Sequence, residues 1–334
     1  MFEQFIEKYN LPKYRRVQLY TQYYKNLISS WEQLSTWPLQ LRDTLKKEIP
    51  FSSLTFVSST ESNEKDSIKV LFKTPKNNYI ESVLIRERGR NTVCVSCMSG
   101  CPVGCIFCAS GQMGLQESLT SYQIVDQILY FARYLKESNE RVSNIVYMGM
   151  GEPLLNLESV SHSILDITDM DKFGISKRRV TLSTSGYVQQ LRSFMDMKLG
   201  VKLAISLHSP NQKLRDSLMP TVSKENSLID LFTVLDEYTK ETNKRVTYEY
   251  VLLRGINDSI EHAKELTTLL KNRLALVNLI NYNENECLPF KRSKNTPLFK
   301  KILEERGITC TIRKSLGEDI KGACGQLSDK YAKC

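Results

Sequence analysis

Three cysteines with the spacing C-x3-C-x2-C lie in the short segment Gly100–Cys108, at Cys101, Cys105 and Cys108. A structural zinc site takes four protein ligands, whereas three thiolates leave one iron of a [4Fe–4S] cube without a protein ligand. That iron is free to bind a substrate. The spacing therefore predicts a cluster that takes part in chemistry.

The same spacing, with the aromatic residue Phe107 directly before the last cysteine, resembles the signature of the radical S-adenosylmethionine (SAM) enzymes. The resemblance implies that the cluster binds SAM and supplies one electron, which breaks a C–S bond and releases a 5′-deoxyadenosyl radical. An alternative is a zinc knuckle, because five cysteines here could supply two C-x2-C pairs: Cys94, Cys97, Cys101, Cys105 and Cys108. These pairs lie closer together than is usual for zinc, which favours the cluster.

The composition is that of an ordinary globular protein, with 334 residues of which 41% are hydrophobic. We expect one large domain and one small one. The N-terminus has acidic residues where a signal peptide would be apolar, and no apolar run is long enough to span a membrane. Nine cysteines, five of them in one fifteen-residue stretch, suit a reducing compartment. We therefore expect a cytoplasmic protein without a membrane partner.

The chain is basic, with a formal charge of +9 and a pI near 9.0. Four basic runs occur, at Lys13–Arg16, Lys177–Arg179, Lys291–Lys294 and Arg313–Lys314. Such a charge suits a polyanionic partner, and on charge alone a merely basic surface explains it equally well.

A strand-then-helix pattern repeats six times, with apolar, β-branched runs that begin near Thr92, Ile145, Arg179, Lys202, Val246 and Leu276. This alternation predicts a parallel sheet. Thr120 and Ser227 are typical helix caps before stretches with apolar residues at helical spacing. Residues 67–73 and 79–86 predict two strands joined by a polar turn, and Ser58–Asp66 predicts a short polar connector.

Six such units are fewer than the eight of a closed barrel. The resemblance implies the α/β fold of radical SAM enzymes, an open, partial (β/α)6 barrel, with the cysteine loop after its first strand. We expect residues 1–50 to form a helical accessory module that binds RNA and residues 51–86 to form a connecting β-hairpin. Residues 87–317 are expected to form the radical SAM core, and residues 318–334 a C-terminal segment with a functional cysteine.

Further segments narrow the resemblance: Met148–Asn156, Lys177–Gly186, Gly322–Leu327 and Cys94-Val95-Ser96. Together they resemble the RlmN/Cfr group of adenine methyltransferases that act on ribosomal RNA, and the resemblance covers nearly the whole chain. It implies methylation of C2 of an adenosine in 23S rRNA, with an adenosine of the tRNA anticodon loop as a further substrate. It also implies a flavodoxin- or ferredoxin-type electron donor, and we expect a monomer.

Carbons C2 and C8 of adenine are electron-poor, so neither can take a methyl group from SAM by ordinary displacement. The resemblance implies that the Cys324 thiolate first becomes S-methylcysteine and that its methyl carbon then adds to the ring as a radical. Cys94 then attacks the sulfur of Cys324 and forms a disulfide, which releases the methylated base.

The resemblance implies that Glu81, in an otherwise apolar strand, is the base that removes the ring proton. Desolvation there is expected to raise the pKa of the carboxyl, which suits proton abstraction. The alternative is a strand-edge glutamate that reaches solvent.

The SAM contacts implied by the resemblance fall near the carboxyl ends of predicted strands, where barrel sites are built: Gly151, Glu152, Ser183, Ser206, Leu207, His208 and Asn283. Without the resemblance, His208 is more typical of a structural histidine and Asn283 of a turn.

Two features depart from the family pattern. Glu284–Pro289 is short and acidic where relatives carry a proline-containing aromatic loop. Cys97 stands where a small hydroxyl residue is common, so it either substitutes for Cys94 or is inert. No role is assigned to Cys287, Cys310 or Cys334, which are typical of structural or exposed thiols.

Two other functions stay open at this point. One is methylation of C8 of the same rRNA adenosine, as in Cfr. The cysteine pattern does not separate it from C2 methylation, whereas Gly151–Leu154 and Ser183–Gly186 favour the RlmN type. The other is a non-catalytic, zinc-bearing RNA-binding protein that uses the basic surface.

Overall fold

The computed structural model describes residues 2–285 and 288–327, without the side chains of residues 223–225. The helices, α1 to α12 in chain order, are Phe2–Lys8, Lys13–Tyr20, Leu39–Glu48, Ala109–Gln112, Ser121–Lys136, Leu157–Thr168, Val188–Asp196, Gln212–Leu218, Pro220–Glu225, Leu228–Thr242, Ile260–Leu270 and Thr296–Glu305. The strands, β1 to β12, are Thr55–Glu61, Ser67–Lys73, Tyr79–Glu87, Arg90–Cys94, Met98–Cys101, Gly114–Ser118, Asn144–Tyr147, Val180–Thr184, Lys202–Ser206, Val246–Leu252, Ala275–Asn281 and Cys310–Arg313.

Ten of these strands form one sheet, in the order β1-β2-β3-β4-β7-β8-β9-β10-β11-β12. The strands from β4 onward pair in parallel, whereas β1 to β4 pair antiparallel. Strands β5 and β6 form a separate hairpin between β4 and α5. Since β4 and β12 do not pair among the described residues, the parallel part is an open barrel.

The six predicted parallel strands are confirmed as β4, β7, β8, β9, β10 and β11. Strand β12 adds a seventh, with Cys310 opposite Val277 of β11. The sequence did not reveal it, because only four residues take part and two of them, Thr311 and Ile312, are exposed. Short strands without a continuous apolar run carry a weak pattern.

The predicted hairpin is confirmed as β2 and β3, but the predicted connector at Ser58–Asp66 is wrong over its first four residues. These belong to β1, which pairs antiparallel with β2 along the edge of the sheet. Residues of β1 are largely exposed, so this strand lacks the buried apolar face by which strands are recognised in a sequence.

The predicted caps are confirmed. Thr120 accepts a hydrogen bond from the amide of Gln123, and the Gln123 side chain accepts one from the Thr120 amide, which completes a capping box. Ser227 caps α10 through the amide of Asp230. The apolar faces of these helices lie in the main core, which is continuous with the parallel strands.

The N-terminal helices have an aromatic core that includes both tryptophans, Trp31 and Trp37, each 2% exposed. This core extends onto the barrel through Val125 and Leu129 of α5. On the same helix, Asp126 accepts hydrogen bonds from two residues of the N-terminal segment, from the Ser53 hydroxyl at 2.6 Å and from the Tyr23 hydroxyl at 3.3 Å. The tryptophans are therefore packing residues, and the helical segment is packed against the barrel.

The described residues contain no helix of the length and apolarity that a membrane crossing needs.

Candidate active site

The three spaced cysteines lie just beyond the carboxyl end of β4, where the β5–β6 hairpin is inserted before α5. The hairpin requires glycine at position 100. Gly100 has φ of +70°, and a Cβ there would lie 1.8 Å from the carbonyl oxygen of Gly114. The predicted position of the cysteine loop, after the first barrel strand, agrees with this geometry.

Cys101, Cys105 and Cys108 line one cavity of about 160 Å³, which we call the cysteine cavity. Six other residues proposed from the sequence line the same cavity: Gly151, Glu152, Ser183, Ser206, His208 and Cys324. Together with the three loop cysteines, which follow β4, these six residues come from the ends of β7, β8 and β9 and from the C-terminal segment. The fold thus brings together residues that are more than two hundred positions apart in the chain.

Burial raises the pKa of all three loop thiols, in the case of Cys101 to about 12. A cation bound beside them would lower these pKa values again, as metal binding to thiolates does. Among the described residues, no three Cys, His, Asp or Glu side chains lie close enough to hold a metal ion. The three sulfurs nevertheless share one cavity, which suits ligands to a larger group than a single ion.

Glu152 is held in place by the loop that follows β8. Its carboxylate accepts hydrogen bonds from the Thr184 hydroxyl at 2.6 Å, the Ser185 hydroxyl at 2.6 Å, and the amides of Ser185 and Leu154 at 2.7 and 3.0 Å. Burial raises the pKa of this carboxyl, and these donors oppose the shift. Glu152 thus presents a fixed acceptor to the cysteine cavity.

Two polar atoms near the site are buried without a hydrogen-bond partner among the described residues, the Tyr282 hydroxyl and Oδ1 of Asn283. Tyr282 lines the cysteine cavity. Buried polar groups are normally satisfied, so orphan atoms beside a cavity indicate a polar ligand there. His208 lines the same cavity, with its Nδ1 accepting from the Val251 amide at 3.1 Å.

A second cavity, of about 500 Å³, lies inside the barrel between β4 and β12, and we call it the interior cavity. Cys94 and Asn283 line this cavity and not the first one. Cys324 lines both. The two outer cysteines therefore face one common space. Burial raises the pKa of Cys94 to about 12, and the charge of Cys324 acts in the same direction.

Arg313, at the end of β12, also lines both cavities. The negative charge of Cys324 raises the pKa of this guanidinium, with smaller contributions from Glu249 and Cys94. Its Nη1 lies 3.3 Å from the sulfur of Met148. Arg313 therefore supplies a fixed positive charge beside the two outer cysteines.

The C-terminal segment is anchored around Cys324 by neighbours on both sides. The Asn283 side chain donates to the backbone oxygen of Cys324 at 3.1 Å, and the Ala109 amide donates to that of Gly325 at 2.9 Å. Ser110 donates to the carbonyl of Leu327 at 2.5 Å. Cys324 is thereby tied to the cysteine loop.

Glu81 lines neither cavity. It is 1% exposed, and Lys69 Nζ lies 2.9 Å from its Oε1. The alternative of a strand-edge glutamate reaching solvent is wrong, because β3 lies between β2 and β4. The sequence did not reveal the partner of this carboxylate, Lys69, and the role of Glu81 as a base stays a prediction. Lys69 donates in addition to the carbonyl of Lys321, three residues before Cys324.

Other predicted residues lie away from the cavities. The Leu207 side chain is fully buried in the core, so only its backbone is near the site. Cys97 is likewise in the core and lines neither cavity, whereas Cys94 and Cys324 both line the interior cavity. Cys310 is a buried thiol of β12. Cys287 and Cys334 lie outside the described residues.

Two arginines, the half-buried Arg313 and the buried Arg215, were missed as site residues by sequence reasoning. Arg313 was counted as part of a basic run, and only its neighbours in space reveal its role. Arg215 of α8 is fully buried, and its Nη2 donates to the carbonyl of Ser185 at 2.5 Å. Arg215 thus supports the loop that holds Glu152.

Comparisons with known proteins agree with this geometry. The family model of the radical SAM superfamily matches residues 95–267. The dual-specificity RNA methyltransferase RlmN of Campylobacter lari is 41% identical, over 96% of this chain and 94% of its own. The probable dual-specificity RNA methyltransferase RlmN of Dictyoglomus thermophilum is 42% identical, over 96% and 92%.

The crystal structure of a radical SAM methyltransferase from Sphaerobacter thermophilus superimposes with a TM-score of 0.95 and 39% identity, over 98% of this chain and 96% of that one. An open barrel with three cysteines at its carboxyl end is the architecture of radical SAM enzymes, which use SAM and an iron–sulfur cluster. Within that superfamily, the chain belongs to the RlmN family.

Proposed function

We propose that this protein is an RNA methyltransferase that methylates C2 of an adenosine in 23S rRNA, with an adenosine of the tRNA anticodon loop as a second substrate. The observation that carries the proposal is the position of Cys324, which lines the cysteine cavity on one side and the interior cavity with Cys94 on the other. A residue that takes a methyl group from SAM and delivers it to RNA needs access to both spaces.

Cys101, Cys105 and Cys108 are the proposed ligands of a [4Fe–4S] cluster, and the thiolate donor set fits that group. The proposed SAM contacts are Gly151, Glu152, Ser183, Ser206, His208 and Asn283, together with the backbone of Leu207. The buried Tyr282 hydroxyl lines the cysteine cavity and has no hydrogen-bond partner among the described residues, which supports a polar ligand there. When bound, the cluster and SAM supply the methyl group, one electron from a flavodoxin- or ferredoxin-type donor, and the radical that removes one hydrogen atom.

Cys324 is the proposed methyl carrier. Its thiolate forms a bond to the methyl carbon of SAM as the bond from that carbon to the sulfonium sulfur breaks, which leaves a thioether on the protein. The position of Arg313 supports this role, because this residue lines the same two cavities as Cys324.

Cys94 is the proposed resolving residue. Its thiolate bonds to the sulfur of Cys324 as the bond from that sulfur to the carbon joined to the base breaks. The electron pair of the broken bond stays with that carbon, which takes a proton and becomes the methyl group. A disulfide remains, which an external thiol must reduce. Glu81 is the proposed acceptor of the ring proton. It is buried on the same face of the sheet as Cys94, because Cys94 pairs with Val83, two residues further along β3.

The test is the identity of the methylated nucleoside. The protein, reconstituted anaerobically with iron and sulfide, is incubated with ribosomal RNA, SAM and a reductant, and the digested RNA is compared by mass spectrometry with 2-methyladenosine and 8-methyladenosine standards. We expect 2-methyladenosine. Formation of 8-methyladenosine would support the Cfr-type activity, and zinc without iron in the purified protein would support the non-catalytic alternative. The cytoplasmic location and the monomeric state stay predictions.

A further inference from the structure

A third cavity, of about 1000 Å³, lies at the opposite end of the barrel, and we call it the basal groove. It is lined by the first residues of β4, β7, β8 and β9 and by the segments that lead into them. In a barrel this is the end away from the strand termini that build the candidate active site.

The basal groove is strongly basic. Six exposed cations line it: Arg88, Arg90, Arg141, Arg178, Arg179 and Lys202. None of the six forms an ion pair with the residues that the structure describes. The carboxylates in the lining are Glu87 and Glu140, and Glu140 accepts a hydrogen bond from Asn91. Six exposed cations against two carboxylates leave the lining of the groove with a net positive charge.

The groove adjoins the interior cavity, which in turn adjoins the cysteine cavity. It shares Glu87, Arg88, Arg90, Thr92 and Asn144 with the interior cavity. The interior cavity in turn shares Cys324 and Arg313 with the cysteine cavity. The three cavities therefore follow one another from the exposed arginines, past Cys94 and Cys324, to the three cysteines.

We propose that the phosphate backbone of the RNA substrate lies in the basal groove and that the target nucleotide enters the barrel from this end, an inference that rests on the proposed function. The guanidinium fork suits phosphate oxygens, and five of the six unpaired cations are arginines. Contacts to the phosphate backbone provide affinity for RNA. A base reaches a deep active site only after it has left the stack of its neighbours. Because SAM is assigned to the carboxyl end, entry from the other end lets RNA and SAM reach Cys324 from opposite sides.

The test compares two triple variants of equal charge. The groove variant is Arg88→Gln, Arg141→Gln and Arg178→Gln. The control is Lys213→Gln, Lys264→Gln and Lys294→Gln, three exposed cations in the segments after β9, β10 and β11. Neither set contains a proposed catalytic or SAM-binding residue. Affinity for a labelled RNA stem–loop with an adenosine in its loop is measured by anisotropy at several salt concentrations, using reconstituted protein.

We expect the groove variant to bind this RNA about tenfold more weakly or worse, and the slope of log affinity against log salt to fall by about two, since each lost phosphate contact removes about 0.7 from the slope for a single strand. The control should keep the affinity of the unchanged protein. Equal losses in both variants, a loss only in the control, or no loss in either would overturn the assignment.

Methylation of Cys324 by SAM in the absence of RNA separates this inference from the proposed function. It is measured as the mass of the C-terminal peptide, and it should be unchanged in the groove variant. If Cys324 takes no methyl group in the unchanged protein, the proposed function fails, whereas the RNA-binding result still decides the groove.

Discussion

The amide of Ala109 donates a 2.9 Å hydrogen bond to the carbonyl oxygen of Gly325. It joins the residue after the third loop cysteine to the residue after Cys324. The Asn283 side chain holds Cys324 from another direction, at 3.1 Å from its backbone oxygen. The segment that carries the proposed methyl carrier is thus fixed to the loop that carries the proposed cluster ligands, and chemistry that needs both is confined to one place.

The two outer cysteines should give opposite results, because they act at different times. Cys324→Ala should give neither methylated RNA nor a protein–RNA adduct. Cys94→Ala should accumulate RNA bonded covalently to Cys324, since nothing remains to attack that sulfur. A denaturing gel after incubation with RNA, SAM and reductant shows the adduct as a shifted band. Because Cys97 lines neither cavity, Cys97→Ala should behave as the unchanged protein. An unshifted Cys94→Ala band would contradict the proposed order.

Replacement of Cys101, Cys105 or Cys108 by Ala should abolish formation of a complete cluster and reductive cleavage of SAM. Iron and sulfide content after anaerobic reconstitution, with the visible absorption spectrum, measures the first effect. Cys310→Ala is the matched control, since this thiol is also buried but lies in β12 away from the loop. A full cluster in Cys101→Ala would show that another residue is the ligand.

Arg313→Gln should slow the methylation of Cys324 about tenfold to a hundredfold, because the thiolate loses its positive neighbour; each factor of ten is about 1.4 kcal/mol. Arg313→Lys should retain part of the rate, since it retains the charge. The measurement is the rate at which the intact protein gains one methyl mass from SAM, followed over a range of pH. Arg306→Gln, an exposed cation, is the control. An unchanged rate in Arg313→Gln would remove Arg313 from the mechanism.

The unfolding free energy should depend on pH through His208. Burial lowers the pKa of His208 to about 3, and Arg215 acts in the same direction. The unfolded histidine titrates near 6.5. Below that pH, His208 binds a proton in the unfolded chain but not in the folded chain. The free energy of unfolding therefore decreases as the pH falls from about 6.5 towards 3.

The matched variant is His208→Asn, since residue 208 has a φ of +56° and Asn tolerates this backbone conformation. The free energy of unfolding of each protein is measured by urea at about pH 7 and about pH 5. On going to the lower pH, the unchanged protein should lose roughly 2 kcal/mol more of this free energy than the variant does. Parallel pH curves for the two proteins would mean that His208 does not titrate on unfolding in this range.

Much of this protein follows from local sequence. The C-x3-C-x2-C spacing lies on one loop, so its meaning does not depend on distant residues. The six parallel strands and the caps at Thr120 and Ser227 follow from periodicity and from side chains that bond their own helix. Strands β1 and β12 were not predicted, because an exposed edge strand and a four-residue strand carry no buried apolar run.

Tertiary structure alone decided which of these residues meet. Spacing along the chain says nothing about Lys69, which pairs with Glu81 only because β2 and β3 are neighbours. Arg313 belongs to a basic run in the sequence, yet its position at the end of β12 puts it beside two cysteines. Cys97 and Cys94 are three residues apart and both are buried in the main core, yet only Cys94 also lines the interior cavity. The charge and the burial around a site depend on all residues that lie close to it in space. Folding determines which residues these are, and many of them are distant in the sequence.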